Sequence, residues 1–330
     1  MTTKINYNQI KGAVVNVLDF GADILGTTNQ DTFFQAAIDS LTPVGYGGTI
    51  FIPNGVYNFG GSLVIPAGME GLNLVGESMA GTILQYNAAT GTFITRAGAF
   101  SYSSIRNMTF RATAPHTSGW CMDFNSATLG TARAITGITQ ANPAVVSTAT
   151  TPLTGTWVYI TGVVGMTQVN NNYYTVGVVN LNTNFTLRDP NTGAVVSTNY
   201  TAWGSGGTWQ QVTAPELTRD LELSDLLIID FQNGIRAGAT INSRFQRMRL
   251  IGRDIVPTLT SDAIGLQIGD SLGVAATSTT IENVYCLAPS GSYWGTGLWN
   301  KYCYGLLLNN YVTDACQIGL RNDASVDGFM

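Results

Sequence analysis

The stretch from Val17 to Glu77 limits the fold more than any other part of the chain. It reads VLDFGAD, then NQDTFFQAAIDSL, then GGTIFIPNGVYNFGGSLVIPAGMEGLNLVGE. Phe34, Ala37, Ile38 and Leu41 recur at i, i+3, i+4 and i+7, which predicts a helix with one apolar face. Thr28 is its expected cap, Asp31 favours its positive end, and Pro43 stops it. Beyond Pro43 the apolar period falls to two. Thr49–Ile52, an Asn54-Gly55 turn, Val56–Phe59, Leu63–Ile65, Leu72–Gly76 and Thr82–Leu84 read as short strands. One helix feeding an unbroken series of short strands is what the capped start of a parallel β-solenoid requires.

A loose repeat continues the pattern. Its first half is an apolar residue, a polar turn slot, then alternating apolar positions: Ile105-Arg-Asn107-Met-Thr-Phe110, Leu223-Ser-Asp225-Leu-Leu-Ile228, Phe245-Gln-Arg247-Met-Arg-Leu250, Ile281-Glu-Asn283-Val-Tyr-Cys286 and Leu308-Asn-Asn310-Tyr-Val-Thr313. The second half begins with glycine, at Gly119, Gly234, Gly265, Gly305 and Gly319. Each pair makes a coil of roughly two dozen residues. Asn and Asp suit the turn slot because they tolerate left-handed backbone.

The repeat breaks between about Ala132 and Val212, where the only charged residues after Ala134 are Arg188 and Asp189. Short strands at Trp157–Ile160, Tyr173–Val178 and Phe185–Leu187 alternate there with Gly/Asn turns, as in a small antiparallel barrel. The expected organisation is a leader at 1–16, a capped solenoid start at 17–132, an inserted barrel at 133–212, and further solenoid at 213–330. The last coil carries no terminal helix or polar cap, so a further piece of solenoid or another chain is expected to cover it.

The run VLDFGAD…DTFFQAAIDSL…GGTIFIPNGVYNF…LVIPAGMEGLNLVGE resembles the opening of pectate-lyase-like β-helix proteins, and more narrowly that of phage tailspikes and tail fibres. The segment ITGITQANPAVV…VYITGVVGMTQVNNNYYTV…FTL resembles a small β-barrel module of phage tail proteins and ubiquitin-activating enzymes. The resemblance implies an all-β chain: a right-handed single-stranded parallel β-helix with an N-terminal capping helix and an inserted small antiparallel barrel. It further implies a homotrimer in the virion tail that contacts other tail proteins through its N-terminal region and engages a bacterial surface polysaccharide. Depolymerisation of that polymer and a purely structural or receptor-binding role both remain open.

Composition narrows the chemistry. With a net charge of −5 and no Lys/Arg cluster, a nucleic-acid partner is not expected. No run of 18 apolar residues occurs, and MTTKINYNQIKGAVVNVL lacks the apolar core of an export signal, so membrane insertion is not expected either. Cys121, Cys286, Cys303 and Cys316 lack metal-site spacing, and no metal or cofactor is expected. Cys121 and Cys286 fall at inward positions and read as buried thiols. The single histidine, His116, sits at a turn with no evident orienting partner for a triad.

Carboxylates are then the remaining catalytic option. Glycoside hydrolysis takes two, about 5–9.5 Å apart, and equivalent positions on adjacent coils lie about 4.8 Å apart. Glu222, flanked by inward Leu221 and Leu223, should point outward, Asp230 should end the same strand, and Asp254 and Asp262 lie in the following long loop. These four are the candidate catalytic residues, with a hydrolase favoured over a lyase. A lyase would draw its cation from Arg244, Arg247, Arg249 or Arg253. Tyr293, Trp294, Trp299 and Tyr302 are the candidate substrate-binding residues, since flat rings stack on sugar faces.

Overall fold

The computed structural model describes residues 14–42, 47–125, 129–170, 172–189, 193–212, 217–252, 263–270, 275–288 and 294–323. The chain divides into two compact units, one made of Met1–Ser126 with Glu216–Met330, the other of Ala127–Pro215.

The first unit is built from two curled parallel sheets, an arrangement consistent with a β-helix. Among the described residues one sheet has twelve strands and the other seven. The larger runs through Gly48–Ile52, Leu72–Gly76, Ser104–Ala112, Glu222–Ile229, Arg244–Ile251 and Ala276–Leu287, with Cys303–Thr313 added last. Leu74, Ile105, Leu223, Phe245 and Ile281 stack in register and are all buried. The smaller sheet runs through Leu63–Ile65, Ile94–Arg96, Met122–Asp123, Ile235–Ala237, Ile264–Ile268, Trp294–Asn300 and Cys316–Asn322. Its inward column is Ile94, Met122, Ile235, Leu266 and Leu298, with Leu320 next in register and exposed. Ser104–Ala112 pairs directly with Glu222–Ile229, so the ladder is continuous across the whole second unit.

The turn slot behaves as its residue types dictate. Asn107, Asp225, Arg247, Asn283 and Asn310 all have φ between 51° and 59°, and the register skips each of them. Arg247 takes the same conformation without the short polar side chain that favours it. The coils vary more than the repeat suggests: Phe245 lies 22 positions after its partner Leu223, whereas Ile281 lies 36 after Phe245. The glycine half-repeat needs three corrections, the first being that Gly234 stands level with Cys121 and not with Gly119. Gly305 belongs to the larger sheet, and the column of the smaller one is Gly234, Gly265, Gly297 and Gly319. A Cβ on Gly265 would stand 2.6 Å from the Gly297 carbonyl oxygen, so the coils approach too closely there for any side chain.

The helix α1 spans Asp31–Asp39 and buries Phe34, Ala37 and Ile38. Phe34 meets Tyr57 and Phe59 edge-on, at centroid distances of 5.2 and 4.9 Å. Thr28 is not the cap. The Gln30 side chain is buried and donates back to the Thr28 carbonyl and hydroxyl, while Asn29 Oδ1 accepts the Asp31 N–H at 2.8 Å. Gln35 hydrogen-bonds both the N–H and the C=O of Val64, each at 2.9 Å, satisfying one residue of the smaller sheet's edge strand. Pro43 lies outside the described residues. The Asn54-Gly55 turn closes no hairpin, because Gly55–Phe59 pairs in parallel with Thr82–Tyr86.

The second unit has its own antiparallel sheet, in which Trp157–Val164 lies between Asn172–Asn180 and Ser205–Val212. Val158, Ile160, Val176, Phe185, Leu187 and Trp209 lie in its separate apolar core. Arg133–Ala134 pairs with Ser205–Val212 at one end of the strand order. Gly137–Ile138, three positions on, pairs with Val145–Ser147 at the other.

Candidate functional site

Strand parity separates the two candidate tryptophans. They stand five residues apart on one strand, so they occupy opposite faces. Trp294 is completely buried and donates its indole N–H to the Leu287 carbonyl at 2.8 Å, so it is a core residue and not a sugar platform. Tyr302 is also buried, with its hydroxyl 3.1 Å from that of Tyr304, and presents no ring face to solvent. Trp299 faces outward and is half-buried. Tyr293, Asp254 and Asp262 lie outside the described residues.

Glu222 points outward, as its flanking leucines require, and accepts a hydrogen bond from Gln246 Nε2 at 2.8 Å. On the adjacent coils its register partners are Ser104 and Arg244, so no carboxylate stands at its level there. Asp230 is buried, with φ 68°, just past the other end of the same strand. The run from the Asp225 bend to Asp230 already spans roughly 16 Å at about 3.3 Å per residue. Glu222 lies beyond that bend, where the register sets it beside Ser104 and Arg244. Arg247 is engaged by Asp225, and Arg253 lies outside the described residues. His116 is not left unoriented at a turn. It is fully buried, its Nε2 donates to the Gly91 carbonyl at 2.9 Å and its Nδ1 accepts the Gln232 N–H at 3.1 Å. Both ring nitrogens thus have backbone partners.

The chemistry collects elsewhere, on the outward face of the smaller sheet. Asp123, Arg236, Gln267, Trp299 and Arg321 stand in register on five successive coils. Arg236 makes a two-pronged ion pair with Asp123 and lies over the Trp120 ring at 5.4 Å. Next to this column Asp270, its side chain only 4% exposed, pairs with Lys301 at 2.6 Å. Asp270 also accepts from Gln267 Nε2 at 3.2 Å and Asn125 Nδ2 at 3.1 Å. The Asn125 backbone N–H donates to Asp123 at 2.9 Å, so one residue bridges the two carboxylates. At the far end Asp323 accepts the Trp299 indole N–H and the Arg321 Nε–H, both at 2.9 Å. Arg321 lies 4.3 Å and Lys301 5.1 Å from the Trp299 ring centre, within cation–π reach.

Trp299 is the one member of this group among the candidate substrate-binding residues. Arg236 carries a signal in the second half-repeat, where it follows Gly234 at an outward position. Its partner Asp123 is 113 residues away, across the second unit, and that pairing cannot be read from spacing. Among the described residues no group of three or more His, Cys, Asp or Glu could hold a metal ion, and no helix is long and apolar enough to cross a membrane.

Stacked parallel coils with a polar ladder on one outer face make this a pectate-lyase-like β-solenoid protein. The family model described as rhamnogalacturonase A/epimerase, pectate lyase-like, matches residues 14–242, and the chain belongs to that family. No curated protein matches it. Similar solved structures include ORF18 of Geobacillus virus E2, at 10% identity and a TM-score of 0.48, over 93% of this chain and 50% of that one. The A-module of mannuronan C-5 epimerase AlgE4 from Azotobacter vinelandii matches at 14% identity and 0.42, over 92% and 71%. Tailspike protein gp49 of Pseudomonas phage LKA1 matches at 13% and 0.32, over 92% and 64%. This chain therefore spans about half the length of the virus E2 protein, and likeness at these identities is one of fold.

Proposed function

We propose that the chain is a tailspike or tail-fibre component that binds a bacterial surface polysaccharide along the outer face of its smaller sheet. The observation that carries this reading is the in-register column Asp123–Arg236–Gln267–Trp299–Arg321, with Asp270 and Lys301 beside it. Gln267 is buried in the middle of the column, and the carboxylate, guanidinium and indole groups on either side of it are the donors and acceptors that grip sugar hydroxyls. Spread over five coils, they cover roughly 19 Å at about 4.8 Å per coil, the reach of an oligosaccharide and not of one sugar. A virion location, a homotrimer and contacts of the N-terminal region with other tail proteins follow from the resemblance of residues 17–77. The same reading takes the coil as right-handed, α1 as its cap and the second unit as a barrel module.

Binding is favoured over cleavage. A glycosidase needs one carboxyl free to donate a proton, whereas Asp123 and Asp270 are each engaged by a cation. The test is binding of the intact assembly to purified surface polysaccharides, with reducing ends assayed in parallel. Arg236→Ala and Trp299→Ala should each weaken binding at least tenfold without unfolding the protein. Unchanged binding in both variants would move the site away from this face.

A further inference from the structure

We infer that the second unit carries a binding site of its own, a pocket for a single sugar bearing a carboxylate. Its lining falls wholly within that unit, so it stands apart from the polysaccharide face of the solenoid. The cavity measures about 280 Å³, and Arg133, Thr150, Thr151, Leu153, Trp209 and Gln211 are among the residues around it. That is close to the lower end of ligand cavities, ~300–1,000 Å³, and suits one sugar ring.

Strand pairing builds one wall. Arg133 stands directly opposite Trp209, and Gln211, two residues further along the strand, shares that face. The Trp209 indole N–H is engaged by Thr148 Oγ1 at 3.1 Å, so this buried ring contributes shape alone. The segment 150–153 is the other wall, and it is anchored. The Thr151 hydroxyl oxygen accepts the Asn182 N–H at 3.1 Å, and the Leu153 carbonyl accepts the Thr156 hydroxyl at 2.7 Å. Leu153 is held 75% exposed on this tied backbone, an apolar flank to the opening.

Arg133 decides the ligand. It is exposed, and among the described residues it takes part in no ion pair. The described lining holds no acid, and Asp189 is the only one between 127 and 215. A guanidinium in such a pocket selects an anion, and its planar fork matches a carboxylate through two parallel N–H bonds. The exposed Thr150 and Gln211 side chains supply the donors and acceptors that ring hydroxyls need.

The test titrates the intact protein with D-glucuronate, D-glucose and inorganic phosphate, followed by ligand-observed NMR. Glucuronate should bind about tenfold or more tightly than either control, the worth of hydrogen bonds to a charged group. Its affinity should fall severalfold between about 25 and 500 mM NaCl. Arg133→Gln should remove that preference while leaving the thermal unfolding midpoint in place. Arg133→Lys, which keeps the charge and loses the fork, should bind glucuronate with intermediate affinity. Absence of saturable glucuronate binding, equal affinity for glucose or for phosphate, or unchanged binding in Arg133→Gln overturns the inference. None of these results touches the polysaccharide face, which Arg236→Ala and Trp299→Ala test separately.

Discussion

Arg247 reaches back one coil to clamp Asp225 with two hydrogen bonds, 2.8 Å from Nε and 2.7 Å from a terminal nitrogen, although both residues hold left-handed backbone. The guanidinium holds the Asp225 carboxyl below the usual carboxylate range. A depressed carboxylate stabilises the fold above the ordinary Asp value of about 3.9, and that support is lost as pH falls through the lower folded value. Asp225→Asn should therefore flatten the acid limb of the stability curve, read as denaturant midpoints from pH 2 to 6. Arg247→Asn should lose only the Asp225 pairing, because asparagine accepts this backbone. Arg247→Val should cost about 1–3 kcal/mol.

The two tryptophans should part company under substitution. Trp294→Ala empties a core site and should lose about 3–5 kcal/mol of unfolding free energy. Trp299→Ala should lose far less, because its ring is only half-buried. Equal losses in equilibrium denaturation would contradict the face assignment.

Alkali should unfold the first unit through its thiols. Burial raises the Cys121 thiol well above its ordinary range and pushes Cys286 up to about 12 and Cys316 up to about 11. Acids raised by folding hold more protons folded than unfolded, so stability falls as pH climbs past the free-thiol value of about 8.5. Each such thiol contributes a slope of about 1.4 kcal/mol per pH unit while the difference lasts. Denaturation from pH 7 to 11 should show this decline, and iodoacetamide at pH 7.5 should leave Cys121 and Cys286 unmodified in the folded protein.

Replacing Ala127–Pro215 by a short Gly/Ser bridge should leave a soluble β-rich protein of unchanged oligomeric state. Ser104–Ala112, before the excised segment, already pairs with Glu222–Ile229 after it. Circular dichroism and native mass measurement would check this, and aggregation of the shortened chain would contradict it.

What could be read from the sequence follows local rules. The apolar face of α1, the left-handed turn slots and the outward direction of Glu222 depend on residue type and strand parity alone. Parity could also have separated Trp294 from Trp299, but only once both were known to share one strand. The ladder was less legible because its members are distant in the chain. Asp123 meets Arg236 and Asn125 meets Asp270 only after unequal coils and an entire inserted unit have been counted correctly.

The direct pairing of Ser104–Ala112 with Glu222–Ile229 also bears on synthesis. At about 5–20 residues per second, a ribosome leaves the earlier strand waiting on the order of 5–20 s for its partner. During that wait the edge is open to other nascent chains. The second unit can fold within the interval, and its own ends meet where Leu129 bridges Val212. Once they meet, the loop to be closed is short in space however many residues it contains, and closure cost grows only slowly with length. A defect in the second unit's fold would therefore show first as failed co-translational assembly of the solenoid, in a protein whose mature solenoid contacts are all intact.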